Sequence, residues 1–506
     1  MTHEGSPRAA DREVLVAVDV GTSGARSVAF DLEGRQLLEV RRAYATSAPR
    51  PGWAEQSAAD WRSASFSSLA ELVRRIGPSG RVRAISLTGQ CPTVVLVDGR
   101  GRPVGPGLTY RDNRATIEAR EIRSKFGDTA IHARTGHLPA AFHIAPKLLW
   151  LRRNDPEAWS EARLALQPRD WVVLALTGEA VTDGTHAAAT LLYDLRERRW
   201  DDGLLDALDL PPTLVPRIGR PDEVVGTLRP SVAARLGLAA STRVVLGGAD
   251  SQACAFGAAV LGPGPVSEMA GSSTCLNTVV LAPLDPLEVT HYPHVVGDDF
   301  TTETGINTTG AAVRWVADRL YGGRRGHART SDFELMNREA ASVRPGADGL
   351  LFIPVLGDGE RTDARLRGAV TGLSLRHERG AITRAALEGV AYAIRAQLDL
   401  LRAGGAPVSE LRVSGGDARL SAWNQVKADV TGLVVRTYPG DAATSGVAML
   451  AGLGSGVYRD PSDAVARCVR PDPPIEPRPD AVARYEELYG SYRSLADASV
   501  VRREET

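Results

Sequence analysis

The sequence predicts an α/β protein of two similar domains, and three observations carry the prediction. At 506 residues the chain is too long for one ordinary core, so two units of roughly 250 residues are expected. The first apolar run, Val14-Leu15-Val16-Ala17-Val18, ends at Asp19-Val20-Gly21-Thr22-Ser23-Gly24, and a second strand-like run, Ser27 to Phe30, follows at once. A comparable opening recurs half-way along. Val244-Val245-Leu246 leads into Gly247-Gly248-Ala249-Asp250, and after a small-residue helical segment Val266 to Ala270 leads into Gly271-Ser272-Ser273.

The elements follow in order. Asp31-Leu32-Glu33-Gly34 reads as a turn and Arg35 to Val40 as a third strand, which makes the opening a β-meander. It is not the strand-to-helix crossover of a Rossmann or P-loop unit. A helix is expected near Ala58 to Arg75 and a strand at Arg83 to Leu87. The boundary is placed near Gly247, to within about ten residues, giving units 13–247 and 248–495. Pro471 to Pro479 reads as a Pro-rich connection before a last helix at Asp480 to Leu495. The ends, Met1 to Arg12 and Ala496 to Thr506, are expected to fray.

Composition narrows the class. Hydrophobic residues make up 43% and charged residues 24%, as in folded globular proteins. Lys plus Arg is 60 against 61 for Asp plus Glu, so the net charge of -1 offers no basic surplus for nucleic acid or an anionic membrane. Cys91, Cys254, Cys275 and Cys468 lie far apart with no C-x-x-C pair, which argues for reduced thiols and against zinc or a disulfide framework. The N-terminus has no apolar h-region, and no apolar run is long enough to span a bilayer. A soluble, cytoplasmic chain is expected.

The residues able to do chemistry are small polar turns and two acids. The only lysines, Lys125, Lys147 and Lys427, do not follow a glycine, so a Walker A loop is excluded. What remains is Gly21-Thr22-Ser23-Gly24, Gly271-Ser272-Ser273, Thr309-Gly310 and Ser414-Gly415-Gly416. Such turns let backbone approach a phosphate and offer N–H groups and hydroxyls to its oxygens. Any one alone is more often an ordinary turn. The set, spread over both halves, points to a nucleotide clamped between domains. Asp19 ends a buried strand, where a carboxylate suits Mg²⁺ held through water or simply forms the turn. Asp250 follows an apolar strand among small residues. It can accept a proton from a sugar hydroxyl attacking a γ-phosphate, or cap a helix over Ser251 to Val260, or both.

These residues carry a family resemblance. Val18 to Gly24, Pro51-Gly52-Trp53-Ala54-Glu55-Gln56, Gly89-Gln90, Arg111-Asp112, Ala145-Pro146-Lys147-Leu148-Leu149-Trp150 and Leu176-Thr177-Gly178-Glu179 stand in the order found in the FGGY carbohydrate kinases. Gly248-Ala249-Asp250, Gly271-Ser272-Ser273, Gly359-Glu360-Arg361-Thr362, Arg367-Gly368, Ala386-Leu387-Glu388-Gly389-Val390, Ser414-Gly415-Gly416 and Trp423-Asn424-Gln425 continue it through roughly residues 13 to 490. Within the family the 145–150 segment is very like xylulokinases. The resemblance implies two actin-like (ribonuclease-H-like) domains with an active-site cleft between them, ATP as phosphoryl donor, and Mg²⁺. It implies Asp250 as catalytic base and Asp19 as the metal-side carboxylate. Gln90, Cys91, Pro92, Asp112 and Asp250 are implied for the sugar. Thr22, Ser23, Arg26, Gly271, Ser272, Ser273, Thr309, Gly310, Gly415 and Gly416 are implied for ATP. The first unit would carry the sugar site and first phosphate loop, the second the base and most of the ATP site.

The departures cluster at the sugar end. Cys91-Pro92-Thr93 stands where xylulokinases show Met-His-Gly, Tyr110-Arg111-Asp112 where Trp-Asn-Asp is usual, and Gly248-Ala249-Asp250-Ser251 where Gly-Gly-Asp-Asn is. Asp417 replaces a third glycine, and Ile144 and Ala381 break the two signature patterns. Glycerol kinases place Arg-Glu after the loop Gln, and Cys91-Pro92 cannot make those charged hydrogen bonds, so glycerol is disfavoured. The resemblance therefore implies phosphorylation of D-xylulose to D-xylulose 5-phosphate, with D-ribulose, L-xylulose or erythritol as alternative substrates. A non-catalytic actin-like nucleotide-binding protein is the reading from another class. Expected partners are the sugar and ATP, with no nucleic acid and no membrane; a homodimer is left open.

Overall fold

The computed structural model describes residues 13–77, 82–323, 326–357, 359–360, 365–438 and 440–499. Arg361, Thr362 and the outermost residues of both ends lie outside the described residues.

One sheet occupies the first half, with strands β1 (Val14–Val20), β2 (Gly24–Phe30), β3 (Gln36–Ala43), β4 (Val82–Gly89), β5 (Val224–Thr227) and β6 (Arg243–Val245) in the order β5-β6-β4-β1-β2-β3. β1, β2 and β3 form the antiparallel meander, while β4 and β6 run parallel to β1. The unbroken apolar run of β1 has a physical reason: both its faces are covered. Val14, Val16, Val18 and Val20 face a core with Trp61 and Phe66 of helix α1 (Ala58–Ile76), joined by Trp171 of helix α2 (Pro168–Thr177). Leu15 and Ala17 face the other way, onto Phe256 and Val447 of the second half. Period-two alternation is thus preserved with two apolar faces.

The second sheet repeats the plan. Its strands are β7 (Gly264–Ala270), β8 (Thr274–Val280), β9 (Thr290–Pro293), β10 (Phe300–Ile306), β11 (Val408–Gly415) and β12 (Val434–Tyr438), in the order β9-β10-β8-β7-β11-β12. β7-β8-β10 is an antiparallel meander with β11 and β12 parallel beyond it. One expectation is corrected here. Val244-Val245-Leu246 does not open the second unit: β6 pairs in parallel with β4, Val244 opposite Ile85, and completes the first sheet. The strand equivalent to β1 is β7.

The second-half helices include α3 (Asp250–Gly257), α4 (Gly310–Leu320), α5 (Arg379–Ala403), α6 (Ser421–Thr431), α7 (Ala442–Ser455) and α8 (Pro479–Ala498). Residues 496–498 are therefore helical and not frayed. α7 packs on α3 and reaches across to β1 and β4 of the first sheet. Glycines let α3 and α7 touch backbone to backbone. A Cβ at Gly446 would lie 2.0 Å from the carbonyl oxygen of Ala253, and one at Gly257 would lie 1.9 Å from that of Ala442. Gly446→Ala should therefore lower Tm, although alanine in a helix interior ordinarily gains about 1 kcal/mol over glycine; a raised Tm would show that the helices part without loss.

Between β4 and β5 the chain folds into a mostly helical insertion with its own apolar cluster, including Leu96, Leu108, Ile122, Leu148, Leu149 and Leu192. Lys147, fully buried, donates to the carbonyls of Thr109 (2.7 Å) and Phe142 (2.6 Å) and so ties two loops of the insertion together. Burial pushes its ammonium down to about 7. Among the described residues no helix is long and apolar enough to cross a membrane, and all four cysteines are free thiols.

Candidate active site

The β1–β2 register sets Asp19 directly opposite Arg26. Arg26 Nε donates to Asp19 Oδ2 at 2.8 Å, and its Nη1 lies 2.5 Å from Oδ2 of Asp441. Asp441 is the N-cap of α7, where its side chain accepts from the Thr444 N–H at 2.9 Å. Arg26 thus joins the first half to the second, an ion-pair role its assignment to ATP did not include. Burial raises the Asp19 carboxyl above its usual range, Arg26 opposes that rise, and Asp441 adds to it.

The loop after β1 is held by its carbonyls. Gln56 Nε2 donates to Thr22 O at 2.7 Å, Gln90 Nε2 to Gly21 O at 3.3 Å, and the Tyr44 hydroxyl to Gly21 O. Gln90 also donates to Gln56 Oε1 at 2.7 Å, which accepts from Trp61 Nε1 at 2.8 Å as well. With its carbonyls turned inward, the loop keeps Thr22 and Ser23 at the surface. Among the described residues no partner takes their N–H groups.

Asp250 is the first residue of α3, and Ala249 is its N-cap. The expectation that Asp250 caps a helix over 251–260 is corrected: the helix is Asp250–Gly257, and among the described residues the carboxylate accepts only the N–H of the adjacent Ser251, at 2.8 Å. Burial, then the negative charges of Asp19 and Glu303, push its carboxyl up to about 7 against the opposing Ser251 N–H and Arg26. The Cys91 thiol is likewise pushed far up, by burial and then by the charge of Asp250. Asp19, Arg26 and Cys91 from the first half and Asp250 and Glu303 from the second therefore share one electrostatic neighbourhood.

The loop Gly271-Ser272-Ser273, between β7 and β8, is exposed and braces α4. Thr309 N and Ala311 N donate to Ser272 O at 3.1 and 3.0 Å, and Gly310 N donates to Gly271 O at 3.1 Å. The buried Thr309 hydroxyl meets that of Thr274 at 2.8 Å. Thr309 and Gly310 thus tie their backbone N–H groups to this loop, and Thr309 its hydroxyl to the first residue of β8. Gly415 has φ +94°, and a Cβ there would lie 2.1 Å from Ala270 O, whereas Gly416 faces open space. Trp423 and Asn424 are both buried, and Asn424 Nδ2 donates to Ala418 O at 2.8 Å.

The sugar-side residues are similarly committed. Gln90 is buried in the network above. Asp112 is fully buried, accepting from Ala54 N (2.7 Å) and from Arg114 N (3.1 Å), Nε (2.8 Å) and Nη2 (2.7 Å). Arg114 also pairs with Glu55 at 2.7 Å and lies 3.5 Å over the Trp53 ring. Pro92 is buried behind a half-buried Cys91, the two joined by a cis peptide bond. The sequence reading missed Gln56, Arg114 and Asp441. Gln56, inside the 51–56 segment, carries no local signal of its role, and Asp441-Ala442-Ala443-Thr444 shows only the generic pattern of a helix start. A cavity of about 950 Å³ lined by Arg344, Asp348, Arg478 and Arg484 lies away from all these acids.

Two sheets that share a five-strand order, β3-β2-β1-β4-β6 and β10-β8-β7-β11-β12, each opening on a meander whose first turn carries Gly, Ser or Thr, define the class as two-domain actin-like, ribonuclease-H-like proteins. The N-terminal domain of the FGGY family of carbohydrate kinases matches residues 14–257 and its C-terminal domain residues 267–455; the chain belongs to that family. It is accordingly an ATP-dependent phosphotransferase acting on a carbohydrate. It is 27% identical over 492 residues to a xylulose kinase of Bacillus subtilis, spanning 95% of this chain and 96% of that protein. It is 33% identical over 478 residues to a glycerol kinase of Leptothrix cholodnii, spanning 88% and 91%. The crystal structure of xylulose kinase from Rhodospirillum rubrum superposes with a TM-score of 0.88 at 29% identity, covering 96% of this chain and 99% of that one. Similarity to kinases of both substrates means that family membership leaves the sugar open.

Proposed function

We propose that the protein phosphorylates a neutral ketopentose, D-xylulose to D-xylulose 5-phosphate, in the cytoplasm, with Asp250 as the general base. The observation that carries this reading is the Asp250 carboxyl itself. Its pKa is pushed up to about 7, beside Asp19 and Cys91, with a single hydrogen bond among the described residues. A base of that proton affinity is suited to taking a hydroxyl proton at neutral pH. The sugar oxygen attacks the γ-phosphorus, the bond from that phosphorus to the ADP oxygen breaks, and the proton passes to Asp250 Oδ. Loop N–H groups of 22–23 and 272–273 would hold phosphate oxygens. Residues 13–247 would supply the sugar wall and first phosphate loop, and residues 248–495 the base and second loop.

Mg²⁺ fits the donors present. Asp19 gives one oxygen to Arg26, and its Oδ1 would lie 3.6 Å from a Cβ at Gly21. Among the described residues no three acidic, His or Cys side chains gather to enclose a metal. A cation bound chiefly by water and phosphate, with one carboxylate behind it, is the mode Mg²⁺ favours. When bound, it offsets charge on the phosphates.

The choice of sugar rests on the 145–150 segment and on the xylulose kinase relatives. The 33% identity to a glycerol kinase supports a polyol as the second reading; Cys91-Pro92 weighs against it. The test is kcat/KM across D-xylulose, D-ribulose, L-xylulose, L-ribulose, erythritol, glycerol and gluconate. A site that pairs each hydroxyl rejects analogues lacking one by up to ~10⁴–10⁵-fold, so D-xylulose should lead and glycerol should be poor. A tetritol, glycerol or gluconate that beats every ketopentose by about tenfold overturns the ketopentose reading and leaves the kinase class standing.

A further inference from the structure

The segment that delivers Asp250 has no side-chain cap of its own, yet three first-half side chains hold its backbone. Arg169 Nη1 donates to Leu246 O at 2.9 Å, Thr88 Oγ1 donates to Gly248 O at 2.8 Å, and Ala249 N donates to Thr185 Oγ1 at 2.8 Å. Arg169, Thr88 and Thr185 are all fully buried. Thr185 passes the restraint on: its hydroxyl donates to Asp183 Oδ2 at 2.5 Å, and its N–H donates to the same oxygen at 2.7 Å. The other Asp183 oxygen is shared by Arg169 and by His186 Nδ1, the latter at 2.7 Å. Arg169 therefore grips both ends of the arrangement, the carboxylate behind Thr185 and the carbonyl three residues before Ala249.

We propose that Thr185, fixed by Asp183 and Arg169, is a positioning residue that sets the direction of the Asp250 carboxylate. The inference rests on reading Asp250 as the base and goes beyond it. Thr185 is closed off from solvent. It holds the N–H of the residue immediately before the base, its hydroxyl accepting from that N–H while donating to the Asp183 carboxylate, and the isosteric valine can do neither. Burial works against the charge on Asp183, but Arg169, His186 and the Thr185 hydroxyl hold its carboxyl well below the usual range, so it stays a fixed acceptor. Small displacements of a reacting group are expensive: about 1 Å can cost ~10²-fold in rate.

The experiment compares Thr185→Val, Thr185→Ser and Asp250→Asn as full-length enzymes, with rates expressed per folded molecule from thermal unfolding. Thr185→Val should lower kcat by ~10–10²-fold while KM for ATP stays within about twofold. The midpoint of its pH–rate profile should stay near 7, because burial, Asp19 and Glu303, which raise the Asp250 carboxyl, are untouched by the substitution. Thr185→Ser keeps the hydroxyl and should recover most of the rate. A valine variant with wild-type kcat per folded molecule, or a serine variant as slow as valine, overturns the proposal. If valine does not fold, Thr185→Ala takes its place; if neither folds while serine does, Thr185 serves folding and the proposal fails. Asp250→Asn separates the two layers. A near-wild-type rate there sinks the base itself, whereas an inactive Asp250→Asn beside a fully active Thr185→Val sinks only the positioning role.

Discussion

Asp250→Asn should lower turnover by ~10²–10⁴-fold, the scale of general base catalysis, and at the same time make the protein more stable at neutral pH. Both follow from a carboxyl whose pKa rises from 3.8 to about 7 on folding. In the native protein it keeps its proton through pH values at which the unfolded chain has lost it. The native state therefore binds more protons between about pH 4 and 7, and stability falls with rising pH across that window. Above it, ionised Asp250 costs on the order of a few kcal/mol, which asparagine removes while still accepting from Ser251 N. Wild-type turnover should rise with pH through a midpoint near 7, as the base ionises. Thermal unfolding at pH 5 and pH 8 checks the sign: the gain in Tm from asparagine should be larger at pH 8. An equal or reversed gain would show that Asp250 is not held protonated by the fold.

Asp19→Ala is the second large effect. Removing the carboxylate behind the phosphates should reduce kcat by ~10²-fold or more and raise the Mg²⁺ needed for half-maximal rate. Stability should change little, because Arg26 keeps Asp441 as a partner. The charge of Asp19 helps to raise the Asp250 carboxyl, so the residual activity should titrate at lower pH than wild type. Mg²⁺ dependence and pH–rate profiles on the same preparation check both. An unchanged Mg²⁺ requirement, with activity lost only as protein unfolds, would assign Asp19 to the fold.

What could be read in the chain was local or bound to a turn. The meander from Val14 to Ala43 was legible because short apolar runs alternate with Gly-containing turns. Asp19 and Asp250 stood out because each follows such a run. What was not legible depends on partners far apart in sequence. Val244-Val245-Leu246 looks like an opening strand, and only its parallel pairing with Ile85 assigns it to the first sheet. Gln90 and Asp112 carry polar groups fit for a sugar, but nothing nearby in sequence shows that Gln56 and Arg114 occupy them. Thr185 lies 64 residues from the backbone N–H it accepts, and Asp441 far from the arginine it pairs with. A single sequence carries no trace of such pairings.

The most direct measurement follows the phosphoryl group. Purified protein with Mg-ATP and D-xylulose is sampled for ADP and for sugar phosphate, with sugar-free and Asp250→Asn reactions beside it. The account predicts sugar phosphate formed one-for-one with ADP, little ADP without sugar, and little of either from Asp250→Asn. ATP hydrolysis that ignores every sugar in the panel, or sugar phosphate made by Asp250→Asn at the wild-type rate, would contradict it.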